Sequence, residues 1–475
     1  MIEKFFGATI SILESTLKLS FEMLEMAFSG IPKKKEGYKA DFASEGSLLS
    51  SRQYGFCLTG DKNLSVKNSY TNALIVGGTG VGKSSIVLIP SLYTMKGSFV
   101  IHDPSGELFQ KSAGYLKEKG YSIKQLNFSK PDCSSGFNPL QRANTSSEIQ
   151  KVSSMLVQNA LGNGSKDPFW NNQAISLIAM LITLLKKQDK QFQNLYNVRL
   201  LLTAMGGSPE LVDKLFSKHA DESLFAEYKS FLSADDKITS GAVATCKAAL
   251  QTFSDEAIAR VTSTDSIDMQ EFRKKPTALF IQNSVADQKY YSTLTSIFFE
   301  QFFSHVLLRF PNENEKDIFF LIDEASSLSL PTLPLAVANV RKHCAGIMLI
   351  VQDFAQLIHN YGRYEADAIK SNCFAKMYFT GQSLDVAKDL EQQLGRFEYK
   401  DKEGRKVTRE LMTRDEIRTM KLNRALLVCG HHSPILARLK PYYQSRIFRL
   451  YSELRPPLLP DYLPDLLPAL KLNDN

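Results

Sequence analysis

The sequence predicts an α/β fold, with a mostly parallel central sheet interrupted by an inserted all-α domain. Three observations lead there. Short, near-continuous apolar runs alternate with helix-like segments over 56–144 and again over 271–455, the pattern of strands buried on both faces. Between them, residues 145–270 hold few strand-like runs and many helical ones. One apolar run, Ala73–Val76, ends in a glycine-rich turn that opens a helix.

The strands come first. Ala73–Val76, Ser98–Ile101 and Ile123–Phe128 are expected before the insertion, and Ala278–Ile281, Ile318–Ile322, Ile347–Val351 and Ala375–Phe379 after it. Segments Leu294–Leu308 and Leu335–His343 have helical patterning between later strands. The insertion carries helical runs at Ala174–Leu185, Val198–Leu202, Leu211–Phe216 and Gly241–Phe253. Residues 425–451 read as antiparallel edge strands closing the domain. Ahead of all this, 1–55 is expected to hold an amphipathic helix over 2–28, a basic run Lys33-Lys34-Lys35 and a linker. Such a helix suits peripheral contact with an anionic membrane surface or docking on a protein. The tail 456–475 is rich in Pro and Leu; its proline density forbids a regular helix, leaving it to wrap its own domain or dock on a partner.

Bulk properties narrow the class. The 475 residues, 43% hydrophobic and 23% charged, allow about three ordinary domains with ample core. Six cysteines lie scattered without a CxxC pair or a Cys/His cluster, which argues against a disulfide frame or zinc site and for a reducing, cytoplasmic setting. No run approaches the ~18 apolar residues of a membrane span. Residues 396–455 hold 15 Lys and Arg against 7 Asp and Glu, so the rest of the chain is near neutral within its net charge of +7. With Phe397, Tyr399, Tyr442, Tyr443 and Phe448 interleaved, that segment could follow a polyanion; a solvated surface with core aromatics is the plainer alternative.

The chemistry is carried by Gly77-Gly78-Thr79-Gly80-Val81-Gly82-Lys83-Ser84, which matches the phosphate-binding loop GxxxxGK[ST] at every fixed position. Its glycines let successive N–H groups curl around phosphate oxygens at the positive end of a helix dipole. The nucleotide-binding set is therefore Gly77 through Ser84 together with Ser85. Lys83 is expected on the β- and γ-phosphates of ATP, and the Ser84 hydroxyl on Mg²⁺. Downstream, Ile318–Ile322 ends in Asp323-Glu324. A buried strand presenting two carboxylates beside a phosphate loop places Asp323 in the Mg²⁺ shell and Glu324 on the attacking water, the arrangement of a hydrolase. Gln352 ends the next strand, where an amide can sense the γ-phosphate. Arg341 lies 18 residues beyond Asp323; it is either a surface arginine or the finger that a ring ATPase supplies from the adjacent subunit.

Six stretches together resemble the TraG/TraD-type coupling ATPases of conjugation and type IV secretion. They are the phosphate loop; Val100-Ile101-His102-Asp103-Pro104-Ser105-Gly106-Glu107-Leu108; Phe137-Asn138-Pro139-Leu140; Asp167-Pro168-Phe169-Trp170; Leu321-Ile322-Asp323-Glu324 with Arg341 and Gln352; and Leu411 through Arg418. The similarity runs from about residue 70 to 450. It implies a RecA-like P-loop NTPase with an all-α insertion, assembling as a hexameric ring on the cytoplasmic side of a membrane. Such a ring delivers a relaxase-bound single DNA strand to a secretion channel. The resemblance places Arg341 at the intersubunit finger and Gln352 at the γ-phosphate-responsive glutamine. Two departures stand out: the sequence resembles the subgroup without N-terminal transmembrane helices, and Ser105 stands where the family often has Lys. Two other readings remain open, an ATP-gated docking platform for relaxase or effector proteins and a different RecA-like ring translocase of the FtsK/HerA kind.

Overall fold

A computed structural model of the chain describes residues 38–161, 168–283, 287–459, 463–464 and 467–471. The helix expected over 2–28, the lysines that follow it, and Asp167 lie outside the described residues. Eleven strands are present among the described residues: β1 Ala73–Val76, β2 Ser98–His102, β3 Ser122–Asn127, β4 Thr277–Gln282, β5 Ile318–Ile322, β6 Ala345–Val351, β7 Ala375–Tyr378, β8 Arg396–Lys400, β9 Lys406–Glu410, β10 Arg424–Cys429 and β11 Ile435–Arg438. The chain forms two compact units, one of Phe42–Leu390 with the chain from Arg414 onward, the other of residues up to Asp41 with Glu391–Thr413.

The larger unit is built on a nine-stranded sheet in the order β11-β10-β7-β1-β6-β5-β2-β4-β3. Strands β1 to β7 are mutually parallel, and β10 and β11 add an antiparallel edge. Every residue of β1, β5 and β6 is buried. That explains why they carry no polar side chain, only apolar residues and Gly346, since helices cover both faces and neither face selects polar positions. The chain leaves β1 toward β2 and leaves β7 toward β10, in opposite directions along the sheet. Loops that part this way open a crevice at the carboxyl ends of the strands.

Between β3 and β4 the described chain is helical, with no strand. Its longer helices are Ser146–Leu161, Pro168–Leu185, Leu195–Gly207, Pro209–His219, Glu222–Leu232 and Asp236–Ala249. Asn194, Asp221 and Asp235 start three of them by accepting backbone N–H groups on their side chains. Trp170 packs so closely on the last that a Cβ at Gly241 would stand 2.4 Å from its ring. Only glycine fits there. The described part of the tail lies on this region too: Asn197 donates to the Pro468 carbonyl at 2.8 Å and accepts from the Leu470 N–H at 2.9 Å. Of the two fates read for the tail, this is the wrapping one.

The smaller unit holds the hairpin β8–β9, paired from Arg396↔Glu410 to Lys400↔Lys406. Asp401 builds its turn by accepting the Glu403 and Arg405 N–H groups, and Gly404 takes φ 79.

One sequence expectation needs correction. Only 424–429 and 435–438 of the closing segment are strands; Arg446–Ser452 is a helix. Its aromatic residues do not line a track. Phe448 and Tyr451 pack on Tyr93 at 5.4 and 5.5 Å between ring centres, and Tyr451 stacks on Tyr115 at 4.2 Å. Aromatic side chains that bury one face in a core serve a helix as well as a strand, so composition alone misjudged the period. The helical segment expected over Leu335–His343 is present, as an α-helix Leu333–Asn339 followed by a 3₁₀ turn Val340–His343.

Candidate nucleotide-binding site

The phosphate loop leaves the carboxyl end of β1 and is pinned there. The Gly77 N–H donates to the Val351 carbonyl of β6 at 3.1 Å, continuing the ladder by one bond. A Cβ on Gly77 would meet Phe379 at 2.9 Å. Gly80 and Gly82 take φ 78 and 90, in the left-handed region that glycine alone enters without strain. At Gly78 and Gly80 a Cβ would meet nothing within 4 Å, so the missing side chains leave an open concavity over the loop. Thr79 and Gly80 are exposed, while Val81, Gly82, Lys83, Ser84 and Ser85 are half-buried. The helix that follows begins with a wide turn over Ser84–Leu88 and continues through Ile89–Thr94.

Lys83 folds back over this concavity. Its Nζ donates to the Gly77 and Gly78 carbonyls, each at 2.6 Å. Burial lowers the pKa of the ammonium, while the Asp323 and Glu324 carboxylates draw it back up. Two loop carbonyls are weak partners for a full charge, and a phosphate oxygen would be a stronger one.

Asp323 and Glu324 leave β5 at the same end of the sheet, with β6 between β5 and β1. Burial, then the neighbouring Glu324 charge, raises the Asp323 carboxyl to about 7, against the pull of Lys83. An edge of the side chain stays accessible. Its Oδ1 accepts the Glu324 N–H at 3.0 Å, and Glu324 sits at φ 51, ψ 49. Gln352 directly follows β6 and is half-buried beside the start of the loop, since Val351 pairs with Val76.

Arg341 is elsewhere. It is exposed, in the turn that precedes β6. Because β6 runs parallel to β1 and β5, this is the end of the sheet opposite the phosphate loop. The seven residues of β6 separate the two ends by about 20 Å at roughly 3.3 Å per residue. Thus Lys83, Ser84, Asp323, Glu324 and Gln352 gather at one sheet edge, and Arg341 does not join them.

Sequence reading gave no role to two residues at this edge. Gln382, buried just beyond β7, donates to the Val76 carbonyl at 3.1 Å and to the Phe379 carbonyl at 2.8 Å, bracing the root of the loop. His102 ends β2 with its Nδ1 2.6 Å from the Asp323 carbonyl. Asp103, by contrast, turns inward. Its carboxylate accepts the Leu108 and Phe109 N–H groups at 3.1 and 2.8 Å and the Gln282 amide at 3.1 Å, capping the helix Glu107–Glu118. Ser105 is exposed.

A cavity of about 690 Å³ opens beside the loop, with Gly80, Val81 and Ser85 on one wall and Arg438, Lys440 and Tyr443 on another. The donor set suits magnesium held largely by phosphate: one hydroxyl, one carboxylate and ligand oxygens suffice for that ion. No cluster of three or more His, Cys, Asp or Glu that could hold a metal by itself occurs among the described residues. Nor is any described helix long and apolar enough to cross a membrane.

Comparison with known proteins agrees with this architecture. Protein VirD4 of Agrobacterium fabrum is 22% identical over 432 residues, covering 85% of this chain and 62% of its own length. The type IV secretion system-coupling protein VirD4 of Bartonella henselae is 21% identical over 339 residues, 68% of this chain and 53% of its own. The chain spans only about half to three fifths of the length of these relatives. Among solved structures, the bacterial conjugative coupling protein TrwBdeltaN70 superposes with a TM-score of 0.69 at 17% identity, over 85% of this chain and 94% of its own. The plasmid coupling protein TrwB in complex with ADP and Mg²⁺ gives 0.68 at 18%, over 86% and 95%. These likenesses establish the fold as RecA-like. The family model for type IV secretory system conjugative DNA transfer matches residues 25–458, most of the chain. The chain belongs to that family.

Proposed function

We propose that this chain is a coupling ATPase that binds ATP with Mg²⁺, hydrolyses it, and uses the cycle to move single-stranded DNA with its relaxase into a type IV secretion channel. The observation that carries the reading is the gathering of Lys83, Ser84, Asp323, Glu324 and Gln352 at one edge of the parallel sheet. The family, the names of its coupling-protein relatives, and the ADP and Mg²⁺ bound by TrwB support it.

In this mechanism Lys83 exchanges its two carbonyl partners for β- and γ-phosphate oxygens. Ser84 and Asp323 would hold magnesium, which would supply neutralising charge to the phosphates. Glu324 orients the attacking water and takes up its proton, and Gln352 registers loss of the γ-phosphate. The cavity beside the loop receives the base and ribose. Arg341 is too far from its own chain's site to stabilise the transition state there; it serves a neighbour's, in a ring of six such chains as the family resemblance implies. Residues 145–270 form the helical insertion between the two parts of the motor, 56–144 and 271–455. The ring works in the cytoplasm, with at most peripheral contact with the membrane.

The test is ATP turnover by the purified chain with and without single-stranded DNA across a salt series. A motor that tracks the phosphate backbone is stimulated with little sequence preference, and loses that stimulation steeply as salt rises. Turnover indifferent to DNA at every salt concentration would sink the DNA-motor reading.

A further inference from the structure

His102 is the last residue of β2 and only 1% exposed. The group 2.6 Å from its Nδ1, the Asp323 carbonyl oxygen, can only accept, so Nδ1 carries the proton and donates. Burial keeps the ring neutral, its pKa pushed down to about 4. Nε2 is buried and has no hydrogen-bond partner among the described residues. Phe299 meets the ring edge-on at 6.2 Å between centres.

The carbonyl that His102 grips belongs to the peptide joining Asp323 to Glu324. The other end of that peptide, the Glu324 N–H, is held by Asp323 Oδ1 at 3.0 Å. Both ends of one peptide plane are thereby fixed, directly before a residue in the left-handed region. Glutamate has no preference for φ 51; its Cβ crowds the backbone there. Such a conformation persists only where surrounding contacts impose it. On the far side, the Glu324 carbonyl accepts the Ser327 N–H and hydroxyl at 2.9 and 2.8 Å. Of these restraints, the Asp323 carboxylate has a competing duty toward magnesium. His102 has none.

We propose that His102 is a positioning residue for hydrolysis: its Nδ1–H holds the Asp323–Glu324 peptide so that Glu324 keeps the left-handed backbone from which it orients water. This rests on the hydrolytic reading above. The neutral imidazole contributes one fixed donor and touches neither nucleotide nor water.

Three variants of the full chain test it, with ATP and Mg²⁺. His102→Asn puts an amide N–H close to the place of Nδ1, His102→Gln carries it one bond too far, and His102→Leu removes it. The Leu and Gln variants should lose ~10- to 100-fold in kcat, the effect of misplacing a catalytic group by about 1 Å. Their KM, and their affinity for a fluorescent ADP analogue, should stay within ~3-fold of wild type, and His102→Asn should recover kcat to within ~3-fold. A purely structural ring would not separate Asn from Gln. Equal kcat in those two, high or low, overturns the proposal, as does wild-type kcat in His102→Leu. If the Leu variant does not fold, the Asn and Gln pair, alike in polarity, decides alone; failure of both to fold shows that the core needs the imidazole and also overturns it. Wild-type chain that binds the ADP analogue but never turns over ATP refutes the parent reading instead.

Discussion

Replacing Asp323 by Asn tests the electrostatics of the site in the absence of ligand. The Asp323 carboxyl rises from 3.8 to about 7 because burial, and then Glu324, oppose its charge. At ~1.4 kcal/mol per pH unit, that gap corresponds to about 4 kcal/mol; water at its accessible edge trims this to roughly 2–4 kcal/mol. The sign follows from proton linkage. Below pH ~4 the folded and unfolded chains both carry the proton. From there to about 7 the unfolded chain releases it first, so wild type loses stability as pH rises, and above 7 the loss is complete. Asn never ionises and escapes it. The nucleotide-free Asp323→Asn chain should therefore melt with wild type near pH 4 and several degrees above it at pH 8, read by thermal unfolding across that range. Saturating Mg²⁺ and ADP should narrow the difference at pH 8, since a ligand at 100 times its Kd adds about 2.7 kcal/mol to the chain that binds it, a gain of the same size as the gap. Parallel melting curves for the two nucleotide-free chains from pH 4 to 8 would refute the reasoning.

Other outcomes separate the roles at this edge. Lys83→Ala should weaken ATP binding at least ~10-fold by equilibrium titration, whereas Glu324→Gln should leave binding near wild type and lower kcat ~100-fold or more. Arg341→Ala should lower turnover by ~10³ with binding intact, as for a lost arginine finger; mixing it with Glu324→Ala chains should restore part of the activity if the two act across an interface. Asn197→Leu removes both hydrogen bonds to the tail. It should expose 456–475 to limited proteolysis, at a cost of about 1–2 kcal/mol in unfolding free energy.

The parts of this molecule that were legible in the sequence are those whose cause is local. Most of the seven parallel strands announce themselves by apolar runs, because burial on both faces leaves little room for polar residues; β3 and β7, which carry Lys124 and Lys376 at half-buried positions, are mixed. The phosphate loop announces itself because its spacing of glycine, lysine and serine is itself the device that wraps a phosphate. Strand order is a different matter. Uniformly apolar strands carry no register signal, and nothing in Ile347–Val351 says that it inserts between β1 and β5. The hairpin β8–β9 is not legible as an apolar run because its strands are charged on most positions and none of their residues is fully buried, although Asp401-Lys402-Glu403-Gly404 is a turn signal. His102 and Gln382 escaped for another reason. Their partners stand 221 and 306 residues away in the chain, so the side chain's meaning exists only once the sheet has assembled.

Three of the stretches that carry the family resemblance, those around Asp103, Asn138 and Trp170, form joints in this fold rather than reacting groups. Asp103 caps a helix and accepts from Gln282 of β4, whose Oε1 accepts from Gln125 of β3 at 2.6 Å. Asn138 spans the exit from β3, donating to the Gln193 carbonyl at 2.8 Å while its Oδ1 accepts the Leu140 N–H at 3.0 Å. Trp170 seats the second long helix after that exit, Pro168–Leu185, on Gly241. The helical region enters after β3 and returns at β4, and these two strands are the pair that the Gln125–Gln282 bond ties together. Next to Asp103, His102 holds Asp323. The carboxylate pair and the two stems of the insertion are therefore fastened to adjacent residues at one end of β2. If the cycle proposed above moves the insertion, His102 at the end of β2 and Asp103 directly after it give the carboxylate pair and the moving part a common, buried reference.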